Sequence, residues 1–380
     1  MIINQDREFM RQAIKMATKG VFSASPNPRV GCVIVKDSKV IGKGGHITAG
    51  KEHAEIIALK EAGLDAEGSS VYTTLEPCNT SGKTPPCTHS LINAKVSRVI
   101  VAMKDPNPNV NGGGISDLIK AGISVTYGVL EVEAINLNLG FIKRMKYGQP
   151  WVRAKVAMSM DGFIALLSGD SKWITRQQAR KDGHKWRARS CMIMTGIGTL
   201  RKDNPQLNVR SVKTSRQPTK VLIDSKLELD INYSFFDSSQ TIVFTSVNSN
   251  YDDNQKKQFK DKNIEILKIS CNPKFPNHLD LRVVLKELAA RGCNELHLEA
   301  GAKLSGSFMQ ENLIDECLIY VAPIFLGKGL PVFQVTESVK SLFDASKWAF
   351  SEVVKLGDDL RIILRPCGFD PLGFFHKDSN

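Results

Sequence analysis

Four side chains between residues 53 and 87 constrain this chain more than any other feature: His53, Glu55, Cys78 and Cys87. One imidazole and two thiolates are zinc ligands, and as a set they leave the fourth corner of a tetrahedral ion open for water. Water on such an ion can lose a proton near pH 7 and become a nucleophile. Glu55, two residues after His53, can shuttle that proton. The same set dictates local structure. Residues i and i+2 do not share a face of an ideal helix, so His53 and Glu55 can meet in one cavity only at a helix N-terminus. Glu52-His53 following Ala49-Gly50-Lys51 suits such a start. Cys78 follows a strand and a proline, and Cys87 precedes Thr88 and a helical stretch. Thiols near helix starts ionise more easily, which favours metal binding. A purely structural zinc would need a fourth protein ligand, and His89 is the nearest candidate.

Strand and helix patterns alternate around these residues. Phe9, Ala13, Ile14, Met16 and Ala17 predict a helix over 5–19. Strands are predicted at 30–35, 40–44, 70–75, 98–103 and 123–127, and helices over 55–61, 88–94 and 115–121. A second alternation begins at Trp151, with strands at 152–158, 191–195, 219–223, 241–245, 265–267, 295–299 and 317–322 and helices notably at 281–290 and 303–312. The fold class is therefore α/β, as two three-layer α/β/α-type domains. Gly148 and Pro150 mark the link, giving a first domain at 1–148 and a second at 149–380.

Net charge is +12, but no block of five basic residues occurs and aromatics are only 7%. Dispersed charge of this kind is ordinary solvated surface rather than a nucleic-acid footprint. No apolar run approaches the roughly 18 residues of a membrane span, and the N-terminus lacks a signal-peptide pattern. Eight scattered cysteines are too few for a disulfide framework, so a reducing cytoplasm is expected. Two-domain metabolic enzymes of this size commonly form homo-oligomers.

The order H-x-E…P-C…C is that of zinc deaminases, although their usual second half is C-x-x-C and here eight residues separate the two cysteines. Further motifs stand in sequence: Ser25-Pro26-Asn27-Pro28-Arg29-Val30-Gly31, Thr74-Leu75-Glu76-Pro77-Cys78, Gly82-Lys83-Thr84-Pro85-Pro86-Cys87, Asp105-Pro106-Asn107-Pro108, Ser168 to Thr175, and Asp203-Asn204-Pro205. With these the chain resembles the bifunctional riboflavin-biosynthesis deaminase/reductases over nearly its whole length, least after about residue 340. The resemblance implies a cytidine-deaminase-like domain followed by a dihydrofolate-reductase-like one. The first would deaminate 2,5-diamino-6-ribosylamino-4(3H)-pyrimidinone 5′-phosphate, and the second would use NADPH to reduce the ribosyl group to ribityl. One zinc per chain would sit on His53, Cys78 and Cys87 beside Glu55. Asn27, His46, Lys83, Asp105 and Asn107 would line the deaminase pocket. Ser171, Arg187, Leu207, Arg210 and Glu299 would bind the reductase substrate. NADPH would meet Ala157, Trp173, Thr199, Asp203 and Ser225, and the 301–307 loop of Gly301, Ala302, Lys303, Leu304, Ser305, Gly306 and Ser307. Arg187 and Arg210 suit a ribose phosphate through forked hydrogen bonds, and Glu299 and Asp203 are the acidic candidates for the proton that accompanies hydride. The chain departs from the family pattern at Asn79-Thr80, where Ser-His is usual, and at Phe163, where a basic residue is usual.

Two other classes compete on the residues alone. A polynucleotide deaminase would share the zinc set but should show a basic or aromatic surface. A zinc-stabilised binding protein would keep the metal without releasing ammonia.

Overall fold

The computed structural model describes residues 4–80, 85–237, 239–336 and 339–376. It divides into two compact units. One comprises the described residues up to Gly148 together with those from Asp370 onward; the other is Gln149–Phe369.

In the first unit, β1 (Gly31–Lys36), β2 (Lys39–Gly45), β3 (Ser70–Leu75), β4 (Arg98–Met103) and β5 (Ser124–Tyr127) form one sheet in the order β2-β1-β3-β4-β5. β1 is antiparallel to β2 and β3, whereas β3, β4 and β5 run parallel. β1, β3 and β4 are almost wholly buried, and β1 and β4 are nearly continuous apolar runs, as strands covered on both faces tend to be. The helices are α1 (Asn4–Ala17), α2 (Ala54–Ala62), α3 (Cys87–Asn93), α4 (Gly113–Lys120) and α5 (Glu131–Tyr147).

Small residues set how closely α2 approaches the sheet. Its buried side chains include Ala54, Ala58 and Ala62, and these lie against Gly42 and Gly44 of β2. A Cβ at Gly44 would stand 1.9 Å from the carbonyl oxygen of Ala54, the residue between His53 and Glu55. Gly44→Val is therefore expected to push the start of α2 off the sheet. Overpacking of this kind costs about 1–3 kcal/mol, so the first unit should melt earlier and deamination should fall in parallel. Unchanged melting would show that α2 is not seated by this contact.

Several elements lie outside the expected pattern, α5 among them. α5 is broken at Asn138, whose φ of −121° and ψ of 17° depart from helix. The Asn138 side chain accepts from Arg29 N at 2.8 Å and donates to Arg29 O at 3.0 Å, which pins the segment just after Asn27. The second domain was also expected to run to residue 380, but the described residues from Asp370 belong to the first unit.

The second unit contains β6 (Trp151–Ser159), β7 (Phe163–Leu166), β8 (Met192–Gly196), β9 (Thr219–Ile223), β10 (Thr241–Ser246), β11 (Ile264–Ile269), β12 (Glu295–Leu298), β13 (Glu316–Ala322), β14 (Gly329–Pro331), β15 (Trp348–Leu356) and β16 (Asp359–Pro366). Its main sheet has nine strands in the order β11-β10-β9-β8-β12-β6-β13-β16-β15. The seven from β11 to β13 are parallel, and the β15–β16 hairpin closes one edge antiparallel. β7 and β14 pair separately. The helices are α6 (Gln177–Arg189), α7 (Ile197–Asp203), α8 (Asp253–Asp261), α9 (Leu281–Ala290) and α10 (Ala302–Gln310). Val152, Met194, Phe244, Leu285 and Phe308 belong to one apolar cluster, and Ile193, Leu222, Val243 and Phe235 to another.

Beneath α6 a layer of charge replaces apolar packing. Arg153 of β6 bonds Glu295 at 3.0 Å and also Glu316, with all three side chains only 2% exposed. Arg189 pairs with Glu295 at 2.8 Å and Arg365 with Glu316 at 3.1 Å. The Arg153 guanidinium lies 4.5 Å from the centre of the Trp186 ring.

The last helix, α11 (Pro371–His376), packs on α5 in the first unit. Phe374 stacks on Tyr147 with centroids 5.4 Å apart, and the Tyr147 hydroxyl donates to Phe374 O at 3.2 Å. Lys146 Nζ reaches Phe375 O, and His376 lies 3.2 Å from Glu131. Those apolar contacts draw the tail away from the unit that precedes it.

Candidate functional site

His53 is the extended residue capping α2, with φ −75° and ψ 159°, and Glu55 lies in the first turn. This is the looser geometry that lets residues two apart face one cavity. Cys78 sits beyond β3 and Pro77, and Cys87 is the first residue of α3. His53 Nδ1 is 3.2 Å from Cys87 Sγ and 3.5 Å from Cys78 Sγ, and the three donor atoms lie within 4.8 Å of one another. Zinc–nitrogen and zinc–sulfur bond lengths at the tetrahedral angle require roughly 3.6 Å between such atoms, so this trio fits the ion. Among the described residues no fourth His, Cys, Asp or Glu joins the group. His89 is exposed on α3 and is not part of it.

Electrostatics separates the two thiols, contrary to the expectation that both ionise readily. A hydrogen bond from the Cys87 thiol, followed by one involving His53, outweighs burial and lowers the Cys78 pKa. The same bond to Cys78, with burial and nearby Glu55, raises Cys87. The sulfurs therefore hold one proton between them, which a bound cation would displace. Glu55 is 3% exposed. Burial first, and the Cys78 thiolate second, push its pKa up to about 7, despite the favourable field of a helix start. A carboxyl poised there can both take and give a proton near neutrality.

The structure brings the predicted pocket residues Asn27 and His46 together, with Asn27 Nδ2 3.1 Å from His46 Nε2. His46 Nδ1 lies 3.0 Å from Glu52 O, and burial lowers its pKa. The ring is thus neutral: Nδ1–H donates to Glu52 O and Nε2 accepts from Asn27, leaving Asn27 Oδ1 for another partner. Asp105 is buried, and burial pushes its pKa up to about 7. It accepts from Asn107 N at 2.8 Å. Lys83 lies outside the described residues. Asn79 Nδ2 donates to Asp117 Oδ2 at 3.0 Å, tying the Cys78 turn to α4, and Thr80 is exposed.

Glu76 is a residue that sequence reasoning missed. It is 2% exposed and accepts from the backbone N–H groups of Asp105, Gly112 and Ile115, each at 3.0 Å. It joins the turn carrying Cys78 to the loop carrying Asp105 and Asn107. Gly114 allows the close approach, since a Cβ there would meet Pro77 O at 1.9 Å. Glu-Pro-Cys in the sequence places a carboxylate beside a ligand but says nothing of which amides it will meet. Glu76→Ala removes three charge-assisted bonds of about 1.5–3 kcal/mol each and is expected to raise KM for deamination at least tenfold with zinc content unchanged. A kcat loss accompanied by zinc loss would contradict that role.

In the second unit a cleft of about 1260 Å³ opens over β6, β8, β9 and β12. This exceeds the roughly 300–1,000 Å³ of a typical single-ligand pocket and has room for a dinucleotide beside a second molecule. The substrate candidates Ser171, Arg187, Leu207, Arg210 and Glu299 all line it, as do the cofactor candidates Ala157, Trp173, Thr199, Asp203 and Ser225. Gly301, Ala302, Lys303, Leu304, Ser305 and Ser307 line it too, but Gly306 does not. A Cβ at Gly306 would meet Gln334 O at 2.0 Å, so this glycine serves packing. The 301–307 stretch is mostly helix rather than loop, because α10 begins at Ala302 with no side-chain cap. Its first N–H groups are left for an anion. Thr199 Oγ1 accepts from Gly301 N at 3.0 Å and holds that entry in place.

The electrostatics of the cleft narrows the two acidic candidates. Glu299 accepts from Arg187 at 2.9 and 2.7 Å and from Lys155 at 3.2 Å. Although burial favours the neutral acid, Arg187 and Lys155 outweigh it and hold Glu299 well below the usual carboxylate range. It is an ionised anchor and a poor proton donor. Arg187, expected to clasp a phosphate, turns Nε and Nη2 to Glu299 and Nη1 to Asn208 O at 3.1 Å, which leaves two of its five N–H groups for a ligand. Lys155 and His184, which also line the cleft, carried no motif that would single them out.

Known proteins match along nearly the whole chain. A family model described as the cytidine and deoxycytidylate deaminase zinc-binding region matches residues 3–103, and the RibD C-terminal domain matches 150–362. Riboflavin biosynthesis protein RibD of Haemophilus influenzae is 40% identical over 377 residues, 96% of this chain and 98% of that protein. RibD of Escherichia coli is 38% identical over 94% of this chain and 98% of its own length. The structure is similar to that of Acinetobacter baumannii RibD, with a TM-score of 0.87 and 40% identity over 95% and 99% of the two chains. It is also similar to a Thermotoga maritima diaminohydroxyphosphoribosylaminopyrimidine deaminase/5-amino-6-(5-phosphoribosylamino)uracil reductase, with a TM-score of 0.84 and 32% identity over 96% and 99%.

Proposed function

Because this chain belongs to the RibD family of riboflavin biosynthesis, we propose that the residues placed above carry two successive reactions, one in each unit. The first unit deaminates the phosphorylated diaminopyrimidinone hydrolytically. The second reduces the ribosyl side chain of the product to ribityl.

His53, Cys78 and Cys87 hold the zinc. When bound, the metal supplies a Lewis acid that makes water nucleophilic near neutral pH. Glu55 receives the proton of the attacking water and delivers it to the ring nitrogen; it then takes the proton of the hydroxyl newly added to the ring carbon and passes it to the amine, which leaves as ammonia as the carbonyl forms. Asn27, oriented by His46, offers donor and acceptor to the pyrimidinone edge. Asp105 and Asn107 close the pocket from the loop that Glu76 holds, and Lys83 serves the phosphate.

NADPH supplies the hydride of the second reaction. The uncapped start of α10 and Thr199 receive its pyrophosphate, with Ala157, Trp173, Asp203 and Ser225 along the rest of it. Ser171, Leu207, Arg210 and the ionised Arg187–Glu299 pair position the substrate. None of the eight cysteines is in a disulfide, which supports a cytoplasmic setting, and no helix among the described residues is long and apolar enough to cross a membrane. A homo-oligomer closed by symmetric contacts completes the assignment.

The convergence of one imidazole and two sulfurs beside a buried carboxyl carries this assignment most directly. It is tested by supplying the diaminopyrimidinone phosphate and following ammonia, zinc content and NADPH absorbance together. Ammonia release should precede NADPH oxidation, and adding the deaminated product should bypass the first step. NADPH oxidation without deamination, or active protein free of zinc, would overturn it.

A further inference from the structure

The cleft of the second unit holds a histidine that neither the motifs nor the chemistry above employ. His184 lines the cleft on α6 and is 6% exposed. It stands three residues before Arg187, so the two share one face of the helix. Its Nδ1 is buried without a hydrogen-bond partner. A buried lone pair lacking a donor is tolerated better than a buried N–H lacking an acceptor, so the ring keeps its proton on Nε2.

The surroundings say what that proton is for. Arg187, Arg210, Glu299 and Lys155 all act on the ring electrostatically; burial first, then the two arginines, hold its pKa down to about 4. At neutral pH the imidazole is therefore an uncharged donor at the cationic end of the cleft. Arg187 has committed its fork to Glu299 and Asn208. Two of its five N–H groups are left by these bonds, so a phosphate arriving there gains from a further donor.

We propose that His184 is a substrate-contacting residue of the reductase site, its Nε2–H donating to the phosphate of the ribosyl group alongside Arg210, in the field of Arg187. This rests on the assignment of the cleft as the reductase site. No bond to hydrogen breaks in this contact, so it sets binding and orientation rather than the hydride step.

The test uses the full chain supplied with the deaminated phosphorylated product. His184→Leu removes the donor, and loss of a hydrogen bond to a charged group should raise KM for that substrate about 10- to 100-fold while KM for NADPH stays unchanged. His184→Gln restores an N–H and should recover most of the loss. Inorganic phosphate should inhibit the Leu variant more weakly than the unsubstituted protein. An unchanged substrate KM in the Leu variant, or a Gln variant no better than Leu, would each overturn the assignment. If the Leu variant fails to bind NADPH, imidazole nitrogen NMR of the unsubstituted protein decides. One histidine, identified by its absence in the Gln variant, should report an Nε2-protonated ring whose signal moves on adding inorganic phosphate, and its failure to move would refute the contact. A wrong assignment of the cleft fails differently, because the unsubstituted protein would then not oxidise NADPH with this substrate at all.

Discussion

Glu55→Gln is expected to lower deamination by about 10²- to 10⁴-fold, the usual contribution of a positioned general acid–base, with zinc still bound. The amide keeps the shape of the side chain but cannot take a proton from water. Zinc should remain because the three donors that converge are His53, Cys78 and Cys87, and Glu55 is not among them. The pH dependence follows from the same burial. Burial and the Cys78 thiolate push the Glu55 pKa up to about 7, so in the metal-free protein this carboxyl titrates near neutrality rather than near pH 4. NADPH oxidation by the variant, when it is given the deaminated product, should match that of the unsubstituted protein. Deamination that survives Glu55→Gln, or zinc lost with it, would rule out a shuttle at this position.

Arg153→Met is expected to destabilise the second unit by about 3–5 kcal/mol, the usual result of removing one partner from a buried ion pair. Glu295 and Glu316 would stay buried without the guanidinium between them, Glu295 still paired with Arg189 and Glu316 with Arg365. Denaturant unfolding followed by NADPH binding measures the effect, and an unchanged midpoint would sink it. Acid should weaken the same network. Burial alone would raise the Glu316 pKa, but Arg153 and Arg365 reverse this and hold it below its ordinary value. A carboxylate depressed in the folded state adds stability that is fully present above its unfolded pKa of about 4. That stability is lost as pH falls through the lower folded value. Glu299, held down by Arg187 and Lys155 after burial is overcome, adds to the loss in the same direction. The second unit should therefore lose stability below about pH 4, and Arg153→Met should blunt that dependence.

What could be read from the sequence divides along physical lines. The metal trio was legible because three ligand types and an acid stand close together in order, and the strand before Cys78 and the helix starts at His53 and Cys87 follow from that order. The parallel strands were legible because burial on both faces makes them largely apolar runs, as in β4 and β8. β15 was not, since most of it is exposed and no alternation marks it. α5 was missed as well, and a buried asparagine breaks it at Asn138. Partnerships were the least legible of all. Nothing in Leu296-His297-Leu298-Glu299 says that Arg187 will arrive from α6 to keep Glu299 ionised, and nothing in Glu76 says that three amides from a later loop will close on it.

The placement of α11 gives the two catalytic units an unequal order of completion. The chain makes most of the first unit, then the whole of the second, and only afterwards supplies the helix whose Phe374 covers Tyr147. During synthesis the deaminase half must wait, with one flank of α5 bare, until the reductase half has left the ribosome. A single cut at the link after Gly148 would leave the amino-terminal piece permanently in that unfinished state. Grafting the closing helix back onto that piece would restore the Phe374–Tyr147 contact.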